Sequence, residues 1–265
     1  ICMSNPEAAQ TFADNLAEAL EHGDLRDCDW VNVWPFDNGR YCQCDQCSRL
    51  GNPMRQLLQV IDRCTRIIRQ KVARPVKLVV PAYHETLAVP DTPLPKDFDY
   101  ERVVISFFPI ERCYAHDIDA PECAEINRTL HEFYLRWTRE PRWQLLMGEY
   151  YNVSAFAGIA APFGERIAHD LPVYRKTGTR YIHYMHVPVH HFGLLALTNY
   201  FFAAYSFDIH TGKAALYRDF FTRRYHDAAV PMQEFYDILR QAMANVKPLK
   251  HYVGATVKPD APIQI

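Results

Sequence analysis

The feature that most constrains the fold of this chain is a regular alternation of short apolar runs with segments of helical periodicity. Runs rich in β-branched and aromatic residues lie at residues 28–36, 76–83, 103–110, 143–147 and 180–187. Segments with apolar residues at helical spacing separate most of these runs, and Asn-Pro pairs mark two of the helix starts. Strands that alternate with helices and are apolar along their length predict a parallel sheet covered on both faces.

A parallel sheet of this kind is either open or closed into a barrel. The connection at residues 85–103 is rich in proline and lacks a helical pattern, which does not exclude a barrel. We interpret residues 1–191 as an α/β catalytic domain, the C-terminal five strands of a partial (β/α)8 TIM barrel. Residues 192–265 show three more helical patterns and predict a helical C-terminal extension packed on it. Because Ile1 stands directly before a helix start, we expect an excerpt of a longer chain that lacks its first strands.

The composition narrows the range of partners. A net charge of -2, with scattered Lys and Arg, provides no basic face for nucleic acid. No apolar run approaches the ~18 to 20 residues of a membrane span. Aromatic residues make up 13% of the chain, which is consistent with rings that stack on the apolar faces of sugars or with an aromatic-rich core.

The sequence lacks the motifs of serine hydrolases, P-loop enzymes, zinc peptidases and dinucleotide-binding proteins. We expect no cofactor, and the oligomeric state is not predicted.

Acidic residues follow four of the five predicted strands. In parallel α/β proteins the carboxyl ends of the strands converge on one face, which holds the active site. A single acid at such a place is as readily a helix cap or an ion-pair partner, whereas four together favour a functional site. The candidate site residues are Asp37, Tyr83, His84, Glu85, Glu111, Arg112, His116, Glu149, Tyr150, Tyr151 and His186.

The acids differ in their predicted roles. Glycoside cleavage needs a proton donor and a group that stabilises the oxocarbenium-like centre, and Glu85 and Glu149 fit these catalytic roles best. We expect Arg112 to hold its neighbour Glu111 ionised, in a binding role. Asp37 either orients substrate or belongs to an Asp-Asn-Gly turn. Of the neighbours Tyr150 and Tyr151, the alternation of a strand points one into the site and the other into the core.

Five of the eight cysteines are informative through their spacing. Cys42, Cys44 and Cys47 form a CxCxxC motif that resembles a metal knuckle. A closed zinc site needs four ligands and no second CxxC follows at zinc-ribbon spacing, so a local disulfide or packed thiols are favoured and no metal is predicted. Cys113 and Cys123, ten residues apart in loop-like sequence, are candidates for a disulfide.

Several segments resemble the bacterial family DUF4838, part of which is recognised as GH163 endo-β-N-acetylglucosaminidases. They are CMSNPE at residues 2–7, VWPFDNG at 33–39 with the CxCxxC that follows it, AYHE at 82–85 and PIERCYAH at 109–116. The resemblance spans almost the whole chain and implies a TIM-barrel glycosidase relative, exported by bacteria that degrade glycans. Where related sequences tend to carry Tyr-Gly, this chain has Tyr225-His226.

The predicted function is therefore a glycoside hydrolase acting on an oligosaccharide or glycoprotein glycan, and the resemblance implies, most concretely, an endo-β-N-acetylglucosaminidase of N-glycans. For the endo-acting branch, the resemblance implies a retaining, substrate-assisted mechanism in which the N-acetyl carbonyl of the sugar is the nucleophile. The alternatives are a glycosidase of other specificity, such as an α-glucuronidase-like enzyme in which Arg112 faces a substrate carboxylate, and a non-catalytic glycan-binding barrel.

Overall fold

The structure is a computed structural model that describes residues 2–35, 41–123, 126–151, 161–185 and 192–244. The chain divides into two compact units. Among the described residues, the first unit comprises 2–108 and 133–146, and the second comprises 109–132 and 147–244.

Five strands form one parallel sheet in the order of the sequence, β1-β2-β3-β4-β5. They are β1 (Trp30–Asn32), β2 (Lys77–Ala82), β3 (Val103–Phe107), β4 (Gln144–Glu149) and β5 (Tyr181–Tyr184). β3 is buried at every position and β2 at all but its first, as expected for strands covered on both faces. The sequential order contains no switch point of the kind that defines a doubly wound sheet. The predicted α/β class and the five strands are confirmed.

Two long helices of the first unit begin with the caps that the sequence predicts. In α1 (Pro6–Glu21), the side chain of Asn5 accepts hydrogen bonds from the backbone N–H groups of Glu7 and Ala8. In α3 (Pro53–Lys71), Asn52 caps the backbone N–H of Arg55 in the same way. A proline occupies the first turn of each helix, where its missing N–H costs nothing. The two helices pack on each other through their apolar faces.

The remaining helices agree with the sequence pattern apart from one short element. The connection between β2 and β3 contains 3-10 turns at His84–Thr86 and Tyr100–Arg102 and no α-helix, as its prolines predict. A short helix within the CxCxxC region was not predicted. The helices after α1 are α2 (Asp45–Leu50), α3 (Pro53–Lys71), α4 (Asn127–Thr138), α5 (Gly164–Lys176), α6 (Phe192–Phe207), α7 (Lys213–Tyr225) and α8 (Ala229–Ala244).

The last three helices form the predicted helical C-terminal region of the second unit. α6 packs against α5 and contacts α7, and α7 packs against α8. Stacked and edge-on aromatic rings fill this core, with Phe201 against Tyr217 and Phe221 against Tyr236. Within the described ranges, no helix is both long and apolar enough to cross a bilayer. The division predicted at residues 191 and 192 stays a prediction.

Candidate functional site

Three aromatic side chains meet at the carboxyl ends of the first three strands. Trp34 follows β1, Tyr83 follows β2 and Phe108 follows β3. The ring centroid of Trp34 lies 5.1 Å from those of both Tyr83 and Phe108, and those two are 6.2 Å apart. Trp34 remains partly exposed, so this aromatic trio presents part of an indole ring beside the strand ends.

Glu85 lies directly beyond the trio, in the 3-10 turn after β2, and its side chain is half-buried. Thr86 fixes the turn, since its hydroxyl donates to the carbonyls of Pro81 and Tyr83 and accepts from the backbone N–H of Tyr83. Burial and the nearby carboxyl group of Glu85 raise the pKa of Tyr41. Glu85 therefore lies near the phenol of Tyr41 and two residues after Tyr83 of the aromatic trio, within the first unit.

The backbone at His84 is strained. Its φ is +45°, in the left-handed region that non-glycine residues seldom adopt. Its imidazole centroid lies 3.8 Å from the ring of Tyr83, so the unusual backbone brings these two predicted binding residues together. Such strain concentrates at functional sites, where it aims side chains in directions that regular structure does not allow.

In the second unit, Arg112 and Glu149 lie at the centre of a fully enclosed polar network. Both side chains are 0% exposed, and Nη1 of Arg112 is 2.6 Å from Oε1 of Glu149. The same Nη1 lies 2.8 Å from Oδ2 of Asp170. Tyr114 donates to Oε2 of Glu149 at 2.9 Å, and the hydroxyl of Tyr174 donates to Oε1. Both carboxylate oxygens of Glu149 are thus hydrogen-bonded.

The electrostatics of this network follow from one buried cation and two buried carboxyl groups. Burial raises the pKa of Glu149, and the charge of Asp170 adds to the rise, while Arg112 and the tyrosine hydroxyls oppose it. Burial opposes the charge on Arg112, yet Asp170 and Glu149 outweigh that effect and raise its pKa. Arg112 is therefore the permanent cation of the network, and the two acids compete for it.

Two surface clefts of the first unit lie away from these strand ends. Their cavity volumes are about 560 and 620 Å³. Both are lined by residues just before β3 and β4, including Tyr100 and Arg142. They lie at the amino-terminal ends of the strands, which in parallel α/β proteins serve stability more than catalysis.

Most of the chain matches a known protein family. The model of a family described as a domain of unknown function, DUF4838, matches residues 1–237. The chain belongs to the DUF4838 family. No curated protein matches this DUF4838 domain, and no solved structure does.

The DUF4838 domain brings some of the predicted site residues together and encloses others. Tyr83, His84 and Glu85 are neighbours at the end of β2, and Glu111 is half-buried in the second unit. Tyr150 and Tyr151 are both buried, at 4% and 0% exposure. The backbone N–H of Tyr150 donates to the hydroxyl of Tyr114, and the hydroxyl of Tyr151 to Asp170. Asp37 and His186 lie outside the described residues.

Arg112 makes contacts that the sequence did not predict. Its guanidinium contacts Glu149 and Asp170 and donates to the backbone carbonyl of His116. The predicted pairing of Arg112 with its neighbour Glu111 stays a prediction. His116 also places Nδ1 3.5 Å from the sulfur of Cys113. Cys113 and Cys123 are not joined by the predicted disulfide.

Several important residues of this DUF4838 domain were missed by sequence reasoning. Asp170 and Tyr174 are one helical turn apart on α5. The sequence signal that could have identified Asp170 is an acidic residue on an otherwise apolar helix face. Tyr114 lies in the same segment as Arg112. Cys2 was overlooked because it is remote in sequence from the CxCxxC motif, although its sulfur lies 3.8 Å from that of Cys44.

Proposed function

We propose that this DUF4838 domain belongs to a glycoside hydrolase, built on a TIM barrel and related to the GH163 endo-β-N-acetylglucosaminidases. The observation that carries the proposal is the half-buried Glu85, two residues after Tyr83, whose ring centroid lies 5.1 Å from that of the partly exposed Trp34. An indole face is a stacking surface for the apolar face of a sugar. A carboxyl group next to it is placed to exchange a proton with a glycosidic oxygen.

In the proposed reaction, Glu85 donates its proton to the leaving oxygen as the glycosidic bond of an N-acetylglucosamine residue breaks. The acetamido carbonyl oxygen of the same sugar bonds to the anomeric carbon, which gives a cyclic intermediate. Water then attacks the anomeric carbon as its bond to the acetamido oxygen breaks, which reopens the ring. The attacking water gives a proton to Glu85, and the second inversion leaves the product with its original anomeric configuration. The proposed substrate is an N-glycan, and the proposed enzyme is exported from the bacterial cell, as the resemblance to the family implies.

Glu149 is the second carboxyl group that the sequence nominates for catalysis. Its side chain is fully enclosed and both oxygens are hydrogen-bonded, which supports a positioning role rather than contact with a sugar. We propose that it holds Arg112 and Tyr114, and with them the segment that carries Glu111.

The test is hydrolysis of a panel of N-glycans and uronic-acid oligosaccharides by the full-length protein, with products identified by mass spectrometry. Glu85→Gln is expected to lower kcat/KM by roughly 10²- to 10⁴-fold, the usual contribution of a general acid. Trp34→Ala is expected to raise KM more than it lowers kcat. Glu101→Gln is the matched control, since this exposed glutamate precedes β3 at the opposite end of the sheet. Unchanged turnover by Glu85→Gln would refute the assignment.

A non-catalytic glycan-binding domain is the second candidate, and the enclosure of Glu149 favours it. In that case the wild-type protein would bind glycans of the panel through Trp34 without releasing product. Binding that Trp34→Ala abolishes, with no turnover by the wild type, would support this function over hydrolysis. The α-glucuronidase-like alternative has less support, because Arg112 is 0% exposed and already paired with two carboxyl groups.

A further inference from the structure

Four cysteine sulfurs converge at one place in the first unit. Cys2 precedes α1, Cys42 and Cys44 precede α2, and Cys47 lies in the first turn of α2. All four sulfurs lie within 4.8 Å of one another. The sulfur of Cys2 is 3.8 Å from that of Cys44 and 3.6 Å from that of Cys47. None of the four is in a disulfide.

These distances match the coordination shell of a single metal ion. A tetrahedral zinc ion with Zn–S bonds of about 2.3 Å holds its four sulfurs about 3.8 Å apart. A disulfide would bring two of the sulfurs to about 2.0 Å from each other. A polynuclear iron–sulfur cluster distributes its cysteines over several irons and needs a wider arrangement. The sulfurs of Cys2, Cys44 and Cys47 are thus spaced for one ion.

The surroundings of the sulfurs are suited to thiolate ligands. The backbone N–H of Cys47 donates to the sulfur of Cys44 at 3.5 Å. The hydroxyl of Ser4 lies 3.2 Å from the sulfurs of both Cys2 and Cys47, and 3.8 Å from that of Cys44. In this arrangement the Cys47 thiol donates to the Ser4 oxygen. Once the sulfurs are thiolates, the backbone N–H of Cys47 and the single hydroxyl proton of Ser4, donated to one sulfur, would stabilise their negative charge and orient the ligands.

We propose that Cys2, Cys42, Cys44 and Cys47 bind one zinc ion. Four thiolates fill the tetrahedral shell and leave no position for water or substrate, which is the form of a structural zinc site. The ion would join the segment before α1 to the loop after β1, which are 42 residues apart at Cys2 and Cys44. This inference does not depend on the proposed hydrolase activity.

The experiment measures metal in the full chain, purified without chelator from zinc-supplemented medium. Elemental analysis by plasma mass spectrometry is expected to find about one zinc per chain. Cys44→Ser removes one of the four thiolate ligands and is expected to retain no more than about a tenth of the wild-type zinc content. Cys28→Ser is the matched control, because Cys28 is also partly exposed in the first unit but is outside the cluster. It is expected to keep its zinc.

A second measurement keeps the proposal testable if the variant does not fold. Cobalt added to the metal-free wild-type protein should produce the intense visible and charge-transfer absorption of tetrahedral thiolate coordination, and zinc should displace it. An intact mass that is two hydrogens lower for each bonded pair would instead show disulfides and overturn the proposal. One iron in place of zinc, or four alkylatable thiols that take up no added metal, would overturn it as well.

Discussion

Arg112 and Glu149 form an ion pair without any exposure to solvent, with 2.6 Å between Nη1 and Oε1. Asp170 shares the same guanidinium nitrogen at 2.8 Å. The network therefore contains two carboxyl groups and one cation. Removing the cation and removing one acid are unequal perturbations, since only the first leaves buried negative charge without compensation.

We predict that Arg112→Gln destabilises the protein far more than Glu149→Gln does. The arginine variant leaves Glu149 and Asp170 without a cation and should cost about 3 to 5 kcal/mol of unfolding free energy. In the glutamate variant Asp170 still neutralises Arg112, and the main loss is an acceptor for one tyrosine hydroxyl, worth about 1 to 3 kcal/mol. Urea denaturation of the three proteins measures both values.

The double variant serves as the control for this comparison. Once Arg112 is absent, removing the charge of Glu149 relieves repulsion with Asp170. Arg112→Gln with Glu149→Gln should therefore be less destabilised than the sum of the single variants. Additive costs, or a larger cost for Glu149→Gln alone, would contradict the assignment of Arg112 as the cation that compensates these acids.

The stability of the second unit should decrease in mild acid because of His131. Burial lowers the pKa of His131 below its ordinary 6.5, although the charges of Asp119 and Asp170 oppose the shift. The unfolded chain then binds the proton more tightly than the folded protein. The stability that depends on neutral His131 is present above pH 6.5 and is lost as the pH falls below it toward the folded-state pKa.

The measurement is the unfolding free energy of wild type and His131→Gln between about pH 7.5 and 5.5. The variant should lose less stability over this interval than wild type. His22→Gln, which replaces an exposed histidine after α1, is the control and should keep the wild-type slope. Identical slopes in wild type and His131→Gln would argue against a buried neutral imidazole.

Replacing His226 by glycine should stabilise the protein. This residue ends α7 with φ of +49° and ψ of -116°, a conformation that suits glycine and strains a side chain with a Cβ. We expect His226→Gly to gain about 1 kcal/mol in thermal or urea unfolding. His226→Ala keeps the Cβ and should gain nothing, so equal stabilisation by both would point to the imidazole instead of the backbone.

The hydroxyl of Ser4 should strengthen the proposed zinc site. Ser4→Ala removes a hydroxyl group that lies 3.2 Å from the sulfurs of Cys2 and Cys47 but leaves all four ligands in place. Zinc affinity, measured by competition with a chromophoric chelator, is expected to fall roughly 10-fold. Ser48→Ala, in the exposed part of α2, should leave the affinity unchanged. Equal zinc affinities of the Ser4→Ala and wild-type proteins would show that the Ser4 hydroxyl does not contribute to zinc binding.

Local patterns predicted the secondary structure well for identifiable reasons. Asn52 and Pro53 together specify a helix start. The side chain of Asn52 accepts a hydrogen bond from a backbone N–H of the first turn, and Pro53 lacks an N–H that would otherwise have no partner in the helix. The apolar content of β3 required burial on both faces. The helix α2 was missed because its six residues give too short a pattern for periodicity to register.

The candidate site was only partly predictable. Glu85 and Glu149 follow their strands in the same way in the sequence, yet one is half-buried and the other is completely enclosed. What separates them is the set of side chains that arrive from distant segments. Tyr174 comes from α5 to reach Glu149, and Tyr41 comes from the loop before α2 to lie near Glu85.

The sequence by itself determined the alternation of strands and helices, because hydrophobic periodicity and capping act over a few neighbouring residues. It also determined the family, to which residues 1–237 belong. Only the tertiary structure decided which groups meet. The pairing of Arg112 with Asp170, and the approach of Cys2 to Cys44 across 42 residues, depend on packing that no local pattern records. Burial and long-range contacts, which set charge and coordination, arise only when the whole chain is folded.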